Sequence, residues 1–261
     1  MNRETIKNNL QTILIGSEVI VMDEVDSTND VAKRYLEKDA HDGLVIIANS
    51  QSRGKGRLKR SWISVPEVGI YLSVILKPRI SPDHIPQLTL LAGVAAVSAV
   101  NAFSRTPARL KWPNDILLKG KKLCGVLCEY CPPEENKGGI VMGIGINVNH
   151  GPSQFPEDLR NTATSLKIEN GEPVDRLALI LSVLNHLDQE YEAYLLGGEQ
   201  QVIKKWADHS DMFGKHILLT QGSSSTGGTA VGLDSLGRLK VLTDDGREQV
   251  FDSGEVTLSL P

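Results

Sequence analysis

Two apolar runs, Gly43-Leu-Val-Ile-Ile-Ala48 and Gly69-Ile-Tyr-Leu-Ser-Val-Ile-Leu76, bracket a glycine-punctuated basic stretch, Gln51-Ser-Arg-Gly-Lys-Gly-Arg-Leu-Lys-Arg-Ser-Trp62. Length and β-branched content mark each run as a buried strand, so the basic stretch is a loop that one strand feeds and the other leaves. Gly54 and Gly56 remove side chains from alternate positions, which lets the backbone take φ > 0 and bring its N–H groups close to a ligand. Arg53, Lys55, Arg57, Lys59 and Arg60 place five cations in this one loop. They repel one another, so the loop is expected to be mobile until an anion orders it, as a lid over a pocket. Arg57 and Arg60 can each grip a phosphate or carboxylate with paired donors. By composition alone three readings stay open: a solvated basic loop, a phosphate or acyl-phosphate site, and a nucleic-acid contact.

The charge of the whole chain narrows these. Lys and Arg number 28 against 32 Asp and Glu, a net −4, which argues against bulk electrostatic attachment to nucleic acid and makes the basic loop a local device. At 261 residues the chain suits one large domain with a small one appended. No run of about twenty uninterrupted apolar residues is present and the N-terminus lacks a signal-peptide core, so a cytoplasmic protein without a membrane segment is expected. Three cysteines fit reduced thiols better than a disulfide framework.

In order along the chain, residues 1 to about 20 are short and mixed and end in the strand Val19-Ile-Val-Met22. Asp26-Ser-Thr-Asn-Asp30 then opens a helix, with Ser27 and Asp30 spaced as a capping box. Ser27, Thr28 and Asn29 read locally as a cap, although a helix start also offers free N–H groups to an anion. Pro86 to Phe103 is a buried helix. After Arg109-Leu-Lys-Trp-Pro-Asn-Asp115, a hairpin turn Lys119-Gly-Lys-Lys122 delivers Lys122 to the start of the strand Leu123–Glu129, where a rigid sheet would fix its ammonium. Lys119 and Lys121 suit solvated turn positions, and Lys122 stays open between the two roles. Ile140–Asn149 is a further strand in which Gly143 and Gly145 open space for a ligand or a neighbouring backbone. It lacks the third glycine and the helix of a dinucleotide fingerprint. Helices follow over Val174–Leu196 and Glu199–His209. From about Gly214 short β-runs alternate with turns at Ser225–Gly228, Asp234–Gly237 and Asp244–Gly246, a small β-barrel or sandwich.

Cys124, Cys128 and Cys131 have the Cys-x3-Cys-x2-Cys spacing that holds an iron–sulfur cluster in radical enzymes. Cys124 and Cys128 fall within a predicted strand, however, whereas cluster ligands need a loop. Small buried hydrophobes are the better reading for both.

Five motifs in order, Asp26-Ser-Thr-Asn29, Gln51-x-x-Gly-Lys-Gly-Arg-x-x-Arg-x-Trp62, Lys111-Trp-Pro-Asn-Asp115, Lys122-Leu-x-Gly-x-Leu-x-Glu129 and Gly143-x-Gly-x-Asn147, resemble the biotin–protein ligases (biotin–[acetyl-CoA carboxylase] ligases). The resemblance is dense over about residues 20–167 and looser beyond. It implies an α+β fold, a mixed sheet backed by helices of the class II synthetase-like biotin/lipoate ligase type, with a catalytic domain over 1–212 and a small C-terminal SH3-like β-barrel over 213–261. It implies an enzyme using biotin and ATP as substrates, with Mg2+, that makes biotinyl-5′-AMP and passes biotin to a lysine of a biotin carboxyl carrier domain.

By the same resemblance Ser27, Thr28 and Asn29 hydrogen-bond biotin's ureido ring, which reverses the local preference for a cap, and Gln51 is a further biotin contact. Gly54, Lys55, Gly56 and Arg57 close over the intermediate, and Gly125 and Gly143 line the biotin pocket. Arg57 clamps carboxylate and phosphate, and Lys122 stabilises the α-phosphate during transfer. Lys111, Asn114 and Asn147 meet the nucleotide, and Asp115 is the metal contact. Trp62 and Trp112 read either as stacking partners or as core. Lys55, Leu58 and Lys59 stand where the family often has Arg, Arg and Gly, which removes bidentate geometry at 55. There is no room before the first strand for a DNA-binding domain, so operator binding is not expected; a homodimer is. The alternatives are a lipoate-type ligase, whose Arg-Arg-x-Ser-Gly-Gly-Gly-Ala-Val signature is absent, and a nucleic-acid-binding module, against which the 5% aromatic content speaks.

Overall fold

The computed structural model describes residues 2–133 and 138–258. A short helix α1 (Arg3–Asn9) that the sequence reading did not anticipate precedes β1 (Val19–Val25); it buries only Ile6. Then follow α2 (Thr28–Leu36), β2 (Val45–Gln51), β3 (Gly69–Leu76), α3 (Ile85–Asn101), β4 (Arg109–Lys111), β5 (Asp115–Leu118), β6 (Lys121–Cys131) and β7 (Gly139–Asn147). These seven strands make one sheet in the order β1-β2-β3-β7-β6-β5-β4, with β1 and β2 parallel and every other pair antiparallel. The sheet is therefore mixed, as expected.

Strand alternation divides the work of the sheet between its faces. Val45, Ile47, Ile70, Leu72, Val74, Met142, Ile144, Ile146, Cys124 and Val126 point to one side, where α3 packs with α5 (Arg176–Leu195) and α6 (Glu199–Asp208) in the main core. Ile46, Ile75 and Val141 point to the other, where α2 packs with Val31, Ala32 and Leu36. Helix α3 is buried around nearly its whole circumference. The segment Pro82–Asn101 has the length and composition of a membrane span, yet most of it is buried inside the fold, as a core helix would be.

Alternation also settles the cysteines. Cys124 and Cys128 face the main core, while Cys131 packs on the α2 side, so the three sulfurs lie on opposite faces and do not converge. Burial pushes the Cys124 thiol far up and that of Cys128 up to about 12, which suits small apolar side chains.

After a short helix α4 (Leu166–Asn170), α5 and α6, the chain forms β8 (His216–Gln221), β9 (Ser224–Leu233), β10 (Leu239–Thr243), β11 (Glu248–Phe251) and β12 (Glu255–Leu258), an antiparallel sheet in the order β11-β10-β9-β8-β12. The turns at Asp234–Gly237 and Asp244–Gly246 fall where expected, but Ser225–Gly228 is strand, not turn. Its glycines serve close packing: a Cβ on Gly228 would lie 2.5 Å from the Leu242 carbonyl oxygen. This sheet is bonded to the first part of the chain by Trp112 Nε1 donating to the Gly237 carbonyl (3.1 Å) and Gln87 Nε2 to that of Ser235 (2.6 Å). Trp112 is thus a core residue that ties the two sheets.

Candidate active site

The face of the large sheet that carries α2 is stripped of bulk near the middle strands. Gly125, Gly143 and Gly145 fall there, and a cavity of about 510 Å3 opens above them, roofed by the basic loop. The glycines are required. A Cβ on Gly143 would sit 2.2 Å from Asn29 Oδ1, and one on Gly145 would sit 2.5 Å from the Trp62 ring. The Trp62 indole lies over the sheet as a wall of the cavity, with its Nε1 buried and without a hydrogen-bond partner.

One end of the cavity is polar and uncharged. Ser27 occupies the N-cap position of α2, but the capping box does not form: its hydroxyl makes no cap bond, and Asp30 instead meets Lys55 at 2.5 Å. Thr28 donates both its N–H (2.8 Å) and its hydroxyl (3.1 Å) to Gln51 Oε1, and Gln51 Nε2 donates to Ser64 Oγ (2.7 Å). Asn29 Nδ2 donates to Glu129 Oε2 (2.8 Å) and to the Leu127 carbonyl (3.3 Å), while Ser73 Oγ stands 2.6 Å from Asn29 Oδ1. Glu129 is also the partner of Lys33 (2.7 Å). Ser73 and Glu129 escaped the sequence reading as site residues. The signal for Ser73 was its parity: it pairs with Gly143 across the β3–β7 ladder and so shares the open face.

The other end is charged. Lys122 is held through its backbone, which donates to Thr162 O (2.7 Å) and accepts from Thr164 N (2.9 Å). Its ammonium lies 5.7 Å from the Trp62 ring centroid and 2.7 Å from Asp115 Oδ1. The latter is an ion contact outside hydrogen-bond geometry, so Asp115 Oδ1 is buried without a hydrogen bond. Arg57 Nη1 donates to Asn114 Oδ1 (3.2 Å), and Asn114 Nδ2 to the Val126 carbonyl (2.8 Å). Burial lowers the Arg57 guanidinium and the Lys111 ammonium from their ordinary values, opposed first in each case by the nearby Asp115 carboxylate. Cations desolvated in this way are stabilised by any anion that enters. Asn147 lines the same space.

The loop between the two ends is held by carboxylates that offset the repulsion among its cations. Arg53 faces Asp26 (3.7 Å), Lys55 faces Asp30, and Arg60 reaches Glu255 of β12 (2.5 Å). Arg34 holds the Asp26 carboxyl well below the usual carboxylate range. Leu58 and Lys59 both have positive φ, 54° and 60°, in the left-handed region that glycine adopts freely. Gly54 is the one predicted site residue outside the main cavity. A Cβ there would meet the Trp62 carbonyl oxygen at 2.4 Å, so its role is the close backbone approach that folds the loop onto itself.

Behind the cavity His150 is fully buried and stacked on Phe155 with centroids 5.3 Å apart. Tyr71 donates its hydroxyl to the Val65 carbonyl (2.9 Å), so His150 Nε2 carries the proton it shares with the Tyr71 oxygen at 3.3 Å. Burial brings His150 down to about 4.

A family model for the biotin/lipoate A/B protein ligase family matches residues 21–147, and one for the biotin protein ligase C terminal domain matches residues 212–259. A Bacillus spizizenii protein named bifunctional ligase/repressor BirA is 33% identical over 97% of this chain and 78% of its own length. A Mycobacterium tuberculosis biotin–[acetyl-CoA-carboxylase] ligase is 30% identical over 96% of this chain and 94% of its own. The solved structure of a biotin protein ligase from Aquifex aeolicus in complex with biotin and ATP has a TM-score of 0.80, 31% identity, and covers 93% of this chain and 99% of that one. With relatives at this identity aligned over both the sheet that builds the cavity and the β-unit that walls it, the chain belongs to the biotin protein ligase family.

Proposed function

We propose that the chain activates biotin with ATP and transfers it to a lysine of the biotin carrier domain of a carboxylase. The observation that carries this reading is the polarity of one continuous cavity. An uncharged end built from Ser27, Thr28, Asn29 and Gln51 suits a urea ring, and a cationic end built from Arg57, Lys111 and Lys122 suits phosphates. A lipoyl ring has no N–H groups to use the first end, which favours biotin over lipoate.

In the first step the biotin carboxylate oxygen bonds to the α-phosphorus of ATP, and the bond from that phosphorus to the bridging oxygen breaks to release pyrophosphate. Charge grows on the α-phosphate oxygens, and Lys122, fixed by the sheet and by the Thr162–Thr164 backbone, is placed to stabilise it. Arg57 lies beside it on the loop that excludes water from the anhydride. In the second step a carrier lysine attacks the acyl carbon and AMP leaves.

The Asp115 carboxylate, whose Oδ1 is buried against the Lys122 ammonium without a hydrogen bond, has the hard oxygen donors that suit a divalent cation. Among the described residues no three acidic, histidine or cysteine side chains form a metal cluster, so Mg2+ would take one protein oxygen from Asp115 and the rest from phosphate and water. When bound it would neutralise triphosphate charge. The separate sheets, and the second family match beginning at residue 212, support a division of the chain into 1–212 and 213–261.

Biotin-dependent exchange of pyrophosphate into ATP, with lipoate as the control acid, tests the first step. Exchange with biotin alone is the expected result, and equal exchange with lipoate would refute the assignment of the uncharged end.

A further inference from the structure

We infer that Glu129, which touches neither reacting group, is the positioning residue that sets the donor–acceptor polarity of the uncharged end. The inference rests on the reading above that a urea ring is what this end receives.

A side-chain amide has two donor hydrogens on nitrogen and two lone pairs on oxygen. Both Asn29 Nδ2 hydrogens are consumed within the protein, by Glu129 Oε2 at 2.8 Å and by the Leu127 carbonyl at 3.3 Å. Asn29 Oδ1 has one partner, Ser73 Oγ, and so keeps a lone pair. Toward a ligand Asn29 is therefore an acceptor only. The neighbours complete a fixed pattern. Gln51 Oε1 is filled by two donors from Thr28 and its Nε2 keeps one free hydrogen, so Gln51 is a donor only. A group with N–H donors on one side and a carbonyl on the other matches this pattern.

Ser73 does not enforce the orientation of Asn29. Its hydroxyl also lies 2.8 Å from Thr28 Oγ1, so it can give its hydrogen there and accept one from a flipped Asn29. Two acceptor-only groups hold Nδ2, the Leu127 carbonyl at 3.3 Å and Glu129 at 2.8 Å; the shorter, charge-assisted bond to Glu129 is the stronger and decides. Lys33, on the far side at 2.7 Å, occupies the other carboxylate oxygen and closes the chain of partners.

This gives a test in which charge and polarity separate. In Glu129→Gln, Lys33 claims the single amide oxygen and turns the new NH2 toward Asn29. Two donors then meet at the shorter contact, which outweighs the longer bond to the Leu127 carbonyl, so Asn29 flips and its Nδ2 faces the N–H of the ligand. The KM for biotin in pyrophosphate exchange should rise by about 10- to 100-fold, the range for a buried polar group set against a like partner. The KM for ATP and kcat at saturating biotin should stay within about threefold. Adding Lys33→Met releases the oxygen of the introduced amide, which can then accept from Asn29 Nδ2, so Lys33→Met/Glu129→Gln should recover most of the lost affinity. Lys33→Met alone keeps Glu129 facing Asn29 and should hold the biotin KM within about threefold.

An unchanged biotin KM in Glu129→Gln, or a double variant no better than the single one, overturns the inference. So does a rise in Lys33→Met as large as that expected for Glu129→Gln, which would make the ion pair the determinant; that arm stands even where Glu129→Gln does not fold. If the unaltered chain shows no biotin-dependent exchange, the functional reading falls and this inference with it. Exchange by the unaltered chain together with any of the adverse results above overturns the inference alone.

Discussion

Gly143→Ala should abolish useful biotin affinity while leaving the fold in place. The added methyl would lie 2.2 Å from Asn29 Oδ1, about 1.2 Å short of the ordinary contact distance. Gly143 sits mid-ladder, paired with Ser73 on one side and Leu127 on the other, so the strand cannot yield and the amide must. Asn29 is itself tied by its bonds to Glu129, Leu127 and Ser73. A displacement of this size breaks the Ser73 contact and misaligns the charge-assisted bond to Glu129, and it withdraws the acceptor from the ligand. Those two intraprotein bonds are lost in the free protein as well and lower its stability, whereas the ligand N–H left buried without its acceptor costs about 1–3 kcal/mol, up to roughly 100-fold in affinity. The assay is pyrophosphate exchange with biotin and ATP varied separately, beside a thermal melt. The biotin KM should rise by up to about two orders of magnitude with the ATP KM little changed. A folded Gly143→Ala protein whose biotin KM is within about threefold of the parent would refute the placement of Asn29 against this strand.

Lys122→Met should lower kcat for adenylation by about 10²- to 10³-fold, the usual loss when one fixed donor to a developing charge is removed; a smaller effect on the biotin KM in the same exchange assay would separate chemistry from binding. Arg57→Gly should raise escape of the reactive adenylate, seen as labelling of bystander lysines in a mixture with an unrelated protein, and unchanged labelling would remove Arg57 from the clamp. Lys59→Gly relieves a left-handed residue worth about 1–2 kcal/mol, partly offset by about 0.5–1 kcal/mol of glycine entropy, so the melting temperature should rise by about 2 °C. For His150 the unfolded chain takes the proton near pH 6.5 and the folded chain only near 4. Its contribution to stability is therefore intact above about pH 6.5 and is lost as pH falls toward 4, by about 3 kcal/mol. His150→Gln, which cannot charge, should flatten denaturant midpoints between those two pH values.

Much of this architecture is legible in the chain because it depends on neighbours in sequence. The run Gly69–Leu76 could only be a buried strand, and Lys119-Gly120 takes the paired positive φ values, 49° and 79°, of a tight hairpin turn. The basic loop announced itself by charge. What stayed hidden depended on partners distant in sequence. Ser27 and Asp30 have capping-box spacing, but Lys55 arrives from the loop and takes Asp30. Ser225–Gly228 looks like a turn by composition, yet its small residues permit close approach by β10. Glu129 stood in a quoted motif without a role, since nothing local says that Asn29, a hundred residues earlier, will present its amide there. Helix α1 is brief and buries a single side chain, so it leaves almost no periodic trace.

The Arg60–Glu255 pair bears on the order in which the molecule is made. Gly254, Glu255 and Val256 wall the charged end of the cavity, and Glu255 answers a cation 195 residues earlier. The uncharged end draws on residues no later than Gly145, and the sheet that carries them closes its core with α5 and α6, all of which are made before β12. A nascent protein can therefore acquire a seat for the urea ring well before it acquires the last anchor of its lid.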